Sequence, residues 1–138
     1  MNFTRRQTLM MAMGTAAAAM LPARGFAAVD ESIAAFTGGA TVGTGGITLT
    51  APEIAENGNT VPIEVNAPGA ESIMVLAAGN PTPAVGTFTF GALAGAQMAS
   101  TRIRLAGTQD VIAIAKMPDG SFVQASQEVK VTIGGCGG

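Results

Sequence analysis

The sequence predicts an all-β fold: an antiparallel, immunoglobulin-like β-sandwich of about seven strands, followed by a flexible glycine-rich C-terminal arm. Three observations predict it. Short runs that alternate polar and apolar residues dominate from Ile47 onward, and period-2 alternation marks a strand with one buried face. Turn-forming residues separate those runs at close, fairly regular spacing. After the last run stands Gly134-Gly135-Cys136-Gly137-Gly138, which has too little side chain to join a core. With one Cys and no Trp, the disulfide and core Trp of antibody domains are absent, so the likeness is one of architecture.

Three segments are expected: an export signal over 1–27, a β-sandwich domain over 28–133 and a carrier arm over 134–138. The signal opens with Thr4-Arg5-Arg6-Gln7-Thr8-Leu9-Met10, continues as an uncharged apolar run from Leu9 to Leu21, and closes on Gly25-Phe26-Ala27-Ala28. That order matches a cleavable leader, with cleavage expected after Ala27 or Ala28. The apolar run is too short and too rich in Ala and Gly to span a membrane. The pair Arg5 and Arg6, with Thr4 before it and Leu9 three positions after, points to the twin-arginine route and a periplasmic destination.

In the domain, Glu31 to Phe36 is expected to form one or two helical turns, and the Gly- and Thr-rich stretch 38–46 a loop or a loosely held edge. Ile47 to Thr50 is the first alternating run. Glu56-Asn57-Gly58-Asn59 is a turn signal leading into Val61-Pro62-Ile63-Glu64-Val65, where Pro62 implies a sheet edge or a strand start. Ser72 to Ala78 is a nearly continuous apolar strand and a candidate edge for a partner to cover. Gly79-Asn80-Pro81-Thr82-Pro83 reads as a rigid loop. Thr87 to Phe90 and Arg102 to Leu105 alternate cleanly. Val111 to Met117 and Ser121 to Ala125 flank Pro118-Asp119-Gly120, a hairpin turn. Val129 to Ile133 is the final strand, with apolar side chains on one face and polar ones on the other.

Composition excludes much chemistry. There is no His, no Tyr and no Trp, so the commonest general base and the commonest metal ligand are missing. One cysteine allows neither an internal disulfide nor a Cys/His zinc site. Of eight methionines only Met74, Met98 and Met117 lie beyond the leader, so no methionine-rich copper site is available. Glu53, Glu56, Glu64 and Glu71 read as loop and strand-surface charges rather than a hydrolytic carboxylate pair. Loss of Arg5, Arg6 and Arg24 with the leader leaves four basic residues against nine acidic, a net charge of −5. That sign argues against nucleic acid and anionic membranes as partners.

What remains is the arm. Glycine samples both halves of φ space, and five extended residues reach roughly 16–18 Å. Cys136 is thus expected to leave the body and enter a pocket on another protein. The arm is thin enough to thread a narrow channel. No Lys, Arg or His adjoins Cys136, and a neighbouring chain-end carboxylate disfavours the thiolate. Activation is therefore left to a partner's active site. An incidental cysteine, or one forming an intermolecular disulfide, is the competing reading. An exposed free thiol in an oxidising compartment is a liability, which favours a functional one.

The ending Val129-Lys130-Val131-Thr132-Ile133-Gly134-Gly135-Cys136-Gly137-Gly138 resembles that of SoxY, the sulfur-carrier subunit of the bacterial Sox thiosulfate-oxidising system. Ile54 to Pro62, Ser100 to Ala106 and Ala115 to Ser121 resemble it too. The terminal Gly-Gly-Cys-Gly-Gly is the specific part. The resemblance implies that Cys136 carries sulfur intermediates covalently on a swinging arm of Gly134, Gly135, Gly137 and Gly138. It implies a carrier and not an enzyme, with no cofactor or metal of its own. It implies a heterodimer with a smaller SoxZ-like β-sandwich subunit that is exported folded alongside this chain. The further partners it implies are a haem-containing conjugating enzyme, a sulfate-releasing hydrolase that leaves a persulfide and, in some systems, a sulfur dehydrogenase.

Overall fold

The computed structural model describes residues 24–133. The leader through residue 23, with Arg5 and Arg6, and the arm residues Gly134, Gly135, Cys136, Gly137 and Gly138 lie outside the described residues. Among the described residues one helix, α1 (Arg24–Thr37), precedes nine strands: β1 (Val42–Thr44), β2 (Thr48–Thr50), β3 (Ile54–Ala55), β4 (Val61–Asn66), β5 (Ser72–Ala77), β6 (Ala84–Thr89), β7 (Met98–Ile103), β8 (Gln109–Lys116) and β9 (Phe122–Val131). They form two sheets. The larger runs β1-β9-β8-β5-β6, with β3 also pairing β9, and the smaller runs β2-β4-β7.

The core follows from alternation. Ile73, Val75 and Ala77 on β5, Val111, Ala113 and Ala115 on β8, and Val129 on β9 face Val61, Ile63, Val65 and Ile103 of the smaller sheet. The large sheet is apolar on its other face as well. There Met74, Leu76, Ile114 and Phe122 meet Val29, Ile33 and Phe36 of α1, a stripe at i, i+4 and i+7. Phe36 and Phe122 cross edge-to-face with ring centroids 5.7 Å apart. Burial on both faces explains why β5 reads as a continuous apolar run: all six of its residues are buried. The helix ends where Gly38, at φ 66°, returns its amide to the Ala34 carbonyl at 2.8 Å.

Several expectations change. The helix foreseen over Glu31 to Phe36 spans fourteen residues, because the large sheet supplies an apolar face for it to cover. Ser72 to Ala78 is no edge: β5 lies between β8 and β6, so no partner can cover it. The runs expected over Ser121 to Ala125 and Val129 to Ile133 merge into one ten-residue strand, Phe122–Val131, which leaves out Ser121, Thr132 and Ile133, since β8 pairs it continuously from Lys116↔Phe122 to Gln109↔Val129. The strands number nine, not about seven, and pairing is not wholly antiparallel. β1 and β3 both run parallel to β9, at its start and at its end, because the chain crosses to the small sheet as β2 between them. Pro62 sits in β4, the central strand of the small sheet, but at a position that β2 does not reach, since β2 pairs only Glu64 to Asn66. On its other side β4 is paired by β7 along its whole length, with Pro62 opposite Arg102. β7 begins four residues before Arg102, because the polar stretch from Met98 pairs with β4 along its whole length.

Candidate functional site

The fold builds the base from which the cysteine arm departs. β9 is clamped there from both sides. On one side β3 runs beside it, with Ile54 opposite Lys130 and Ala55 opposite Val131. Lys130 donates its amide to the Glu53 carbonyl at 2.9 Å, and Thr132 donates its amide to the Ala55 carbonyl at 3.1 Å. The Thr132 hydroxyl donates to the Glu56 carbonyl at 3.0 Å. Gly58 then donates to the Ile133 carbonyl at 2.8 Å, while its own carbonyl accepts from Leu105 at 2.7 Å. On the other side the Val131 amide donates to Thr108 Oγ1 at 3.0 Å. Each extended residue spans at most about 3.6 Å. The chain is therefore held to within about 11 Å of the thiol-bearing residue.

The loops that carry these anchors are themselves cross-braced. Gln109 is nearly fully buried. Its Nε2 donates to Asn80 Oδ1 at 2.9 Å and to the Gly107 carbonyl at 3.0 Å, while its Oε1 accepts from the Gly79 amide at 2.9 Å. Asn80 donates to the Arg104 carbonyl at 2.7 Å and accepts from the Ala106 amide at 2.9 Å. Gly79 is required here: a Cβ at that position would stand 2.9 Å from Gln109 Cβ. A hydrogen-bond network centred on one buried side chain whose donors and acceptor are all satisfied fixes geometry. Sequence reading treated 79–83 as rigid but missed Gln109. The signal was present, because the phase of Val111, Ala113 and Ala115 turns Gln109 inward.

Around the arm base Ile54 and Ile133 are both exposed, and Glu53, Ile54, Gln127, Glu128 and Lys130 line a shallow cavity of about 500 Å³. A second groove of about 550 Å³ lies on the small sheet, with Pro52, Pro62, Glu64 and Arg102 among its walls. The four glutamates singled out from the sequence are scattered. Glu53 and Glu56 offer backbone carbonyls to the β9 clamp. Glu64 accepts from the Ser100 hydroxyl at 3.2 Å, and Glu71 pairs with Lys116 at 3.9 Å in an exposed contact. Among the described residues no group of three His, Cys, Asp or Glu is arranged to hold a metal ion, and no helix is long and apolar enough to cross a membrane.

Fold and anchor together define a class: an immunoglobulin-like β-sandwich whose last strand is pinned directly before a cysteine-bearing tail. The chain belongs to the SoxY family. The family profile, described as sulfur oxidation protein SoxY, matches residues 33–136. The sulfur carrier protein SoxY from Chlorobium limicola f thiosulfatophilum is similar over 78% of this chain and 98% of its own, with 34% identity and a TM-score of 0.68. Superoxide reductase (neelaredoxin) from Ignicoccus hospitalis shares the fold at 18% identity and TM-score 0.56, over 64% of this chain and 81% of its own. A putative superoxide reductase from Thermotoga maritima does so at 21% and 0.52, over 62% and 84%. No curated protein matches. Family membership supports a sulfur-carrier role in sulfur oxidation.

Proposed function

We propose that this protein is a periplasmic sulfur carrier that holds thiosulfate-derived intermediates covalently on Cys136 and presents them to partner enzymes. The observation that carries the reading is the extent of the family match, which runs through residue 136 and so includes the cysteine. The pinned end of β9 supports it physically. The body is tied down by hydrogen bonds up to Ile133, directly before the one cysteine and its four flanking glycines in the sequence, and glycine is the residue least restricted in backbone conformation. Tethering also raises the effective concentration of each intermediate for successive enzymes.

The chemistry balances as follows. The Cys136 thiolate and the terminal sulfur of thiosulfate form an S–S bond, and two electrons pass to the haem-containing partner. This leaves Cys136–S–S–SO₃⁻. Water attacks the sulfonate sulfur in the hydrolase, sulfate leaves with release of two protons, and a Cys136 persulfide remains. A dehydrogenase oxidises that sulfur further where one is present. The nearest cation in sequence is Lys130, six residues away, so thiolate formation is the partner's task. A SoxZ-like β-sandwich subunit completes the carrier as a heterodimer, exported with it by the twin-arginine route through Arg5 and Arg6.

Cys136→Ser tests the reading. It is expected to abolish thiosulfate-dependent turnover in the reconstituted system with an unchanged melting temperature. Full activity in that variant would defeat the proposal. Intact mass under non-reducing conditions separates a carrier from a structural thiol: adducts spaced by single sulfur atoms support the first, and a covalent dimer that reductant cannot return to activity supports the second.

A further inference from the structure

We propose that Asn57-Gly58 is a deamidation site kept shut by the anchor of the cysteine arm: the Ile133 carbonyl holds the nitrogen that must attack, and the site reacts only when the end of β9 is released. The inference rests on the clamp around β9 and stands whether or not Cys136 carries sulfur.

Of the five asparagines in the chain, Asn57 alone is followed by glycine. That order is the chemically labile one. The backbone nitrogen of the following residue attacks the asparagine side-chain carbonyl, and a side chain on that residue would crowd the approach; glycine has none. The reaction balances without an oxidant. The Gly58 amide gives its proton to base, its nitrogen forms a C–N bond to Asn57 Cγ, and the side-chain nitrogen leaves as ammonia with a proton from water. A cyclic imide remains. Water opens it at either carbonyl, which leaves aspartate or isoaspartate at position 57.

The structure exposes one reactant and holds the other. Asn57 is exposed, so base and water reach it, whereas Gly58 is buried. The Gly58 amide donates to the Ile133 carbonyl at 2.8 Å, and its carbonyl accepts from the Leu105 amide at 2.7 Å. An amide held in a hydrogen bond of this length neither loses its proton to hydroxide nor turns toward a neighbouring side chain until the bond opens. The Asn57 side chain is held too, because its Oδ1 accepts from the Asn59 amide at 3.0 Å. The bond that must open belongs to Ile133, the residue directly before Gly134 and the arm. Gate and anchor are therefore the same contact. Asp119-Gly120 can form the same imide, but its side chain is a carboxylate, which resists attack when ionised, and Gly120 donates to Met117 within its own turn at 3.0 Å.

The reaction does not reset. Isoaspartate routes the main chain through its side-chain carbons and lengthens it by a methylene between Glu56 and Gly58. Glu56 accepts from the Thr132 hydroxyl and Gly58 donates to Ile133, so the two holds on the strand end no longer match in spacing. A new carboxylate also stands beside Glu56. Release of the strand end is thereby recorded as a lasting loosening of the arm base.

The test incubates the full chain in mildly alkaline buffer. Isoaspartate in the peptide containing Asn57 is followed by mass spectrometry, beside hydrogen exchange at the Gly58 amide. Compared with the chain unfolded in urea, the folded protein is expected to deamidate at least about tenfold more slowly, by the same factor that protects the Gly58 amide. Sub-denaturing urea and Thr132→Val should each raise the two rates together, severalfold for the variant. Folded protein that deamidates as fast as unfolded protein overturns the proposal. So does urea that speeds Gly58 exchange while deamidation stays constant, and this comparison decides the matter if Thr132→Val leaves exchange unchanged. The isolated isoaspartyl form should exchange its Leu105 amide faster than the parent chain, and equal exchange would overturn the claim that the reaction loosens the arm base.

Discussion

Gly79→Ala places a methyl group where Gln109 already stands. The new Cβ would lie 2.9 Å from Gln109 Cβ, 3.3 Å from its Cδ and 3.4 Å from its Oε1. The nearest of these atoms is bonded directly to the backbone of β8, so it cannot swing aside without moving the strand. Overpacking of this kind costs about 1–3 kcal/mol. Stiffening the unfolded chain by a Gly→Ala change returns about 0.4–1 kcal/mol. The net destabilisation is thus about 1–2 kcal/mol, or roughly 5–10 °C in melting temperature for a domain near 100 residues. Gly86→Ala is the internal control, since its Cβ would meet nothing within 4 Å, and it should melt within about 2 °C of the wild type. Circular dichroism melts of the three proteins give the comparison. A Gly79→Ala protein that melts at or above the wild type would refute the claim that Gln109 and Gly79 pack as a fixed unit.

Three further outcomes follow from the same geometry. Thr132→Val keeps the shape but loses the hydroxyl donor to the Glu56 carbonyl, at about 1 kcal/mol. Amide exchange at Gly58 should rise severalfold with little change in global stability, and unaltered exchange there would show that Thr132 is not part of the clamp. Phe36→Ala removes the edge contact to Phe122 and half-buried area on α1, and should lower stability in urea by about 2–3 kcal/mol. It should also open α1 to proteolysis; a protein as stable and protease-resistant as the wild type would mean the helix is not held by that stripe. Asp119 titrates below the usual carboxylate range, chiefly because the Ser121 hydroxyl donates to it, with the Ser121 amide adding to the effect. A depressed pKa gives stability that is present above the ordinary Asp value and is lost as pH falls through the lowered one. Asp119→Asn should therefore be less stable than wild type near neutrality and converge with it in acid. A gap that stays constant with pH would contradict that assignment.

The carrier reading divides labour between body and arm. Every backbone group from Lys130 to Ile133 for which a hydrogen bond has been described is tied to a neighbouring loop or strand: to Glu53, Ala55, Gly58 and Thr108. An enzyme that grips the body near Ile54 and Ile133 therefore knows where the tail begins. Substituting bulky residues or Pro at Gly135 or Gly137 should slow partner reactions without unfolding the domain, measured as turnover against melting temperature, and unchanged rates would argue against channel entry.

Local chemistry was legible in the sequence. The hairpin at Pro118-Asp119-Gly120 was readable because its requirements sit in adjacent residues: Gly120 takes φ 86°, Asp119 accepts from Ser121, and Met117 and Ser121 close the turn. The alternation that marked β4 and β8, and the cysteine flanked by glycines, were legible for the same reason. Which strands become neighbours was not. Thr132 meets Glu56 across 76 positions, and nothing local in Ile54-Ala55 announces that it will lie parallel to Lys130-Val131. Alternation reports how many faces of a strand are buried, but not what buries them. So Ser72 to Ala78 could read as an edge until β6 and β8 took its two sides and α1 covered its back. Pairing and layering are decided by the joint burial of segments far apart in the chain, and that sum exists only in the folded molecule.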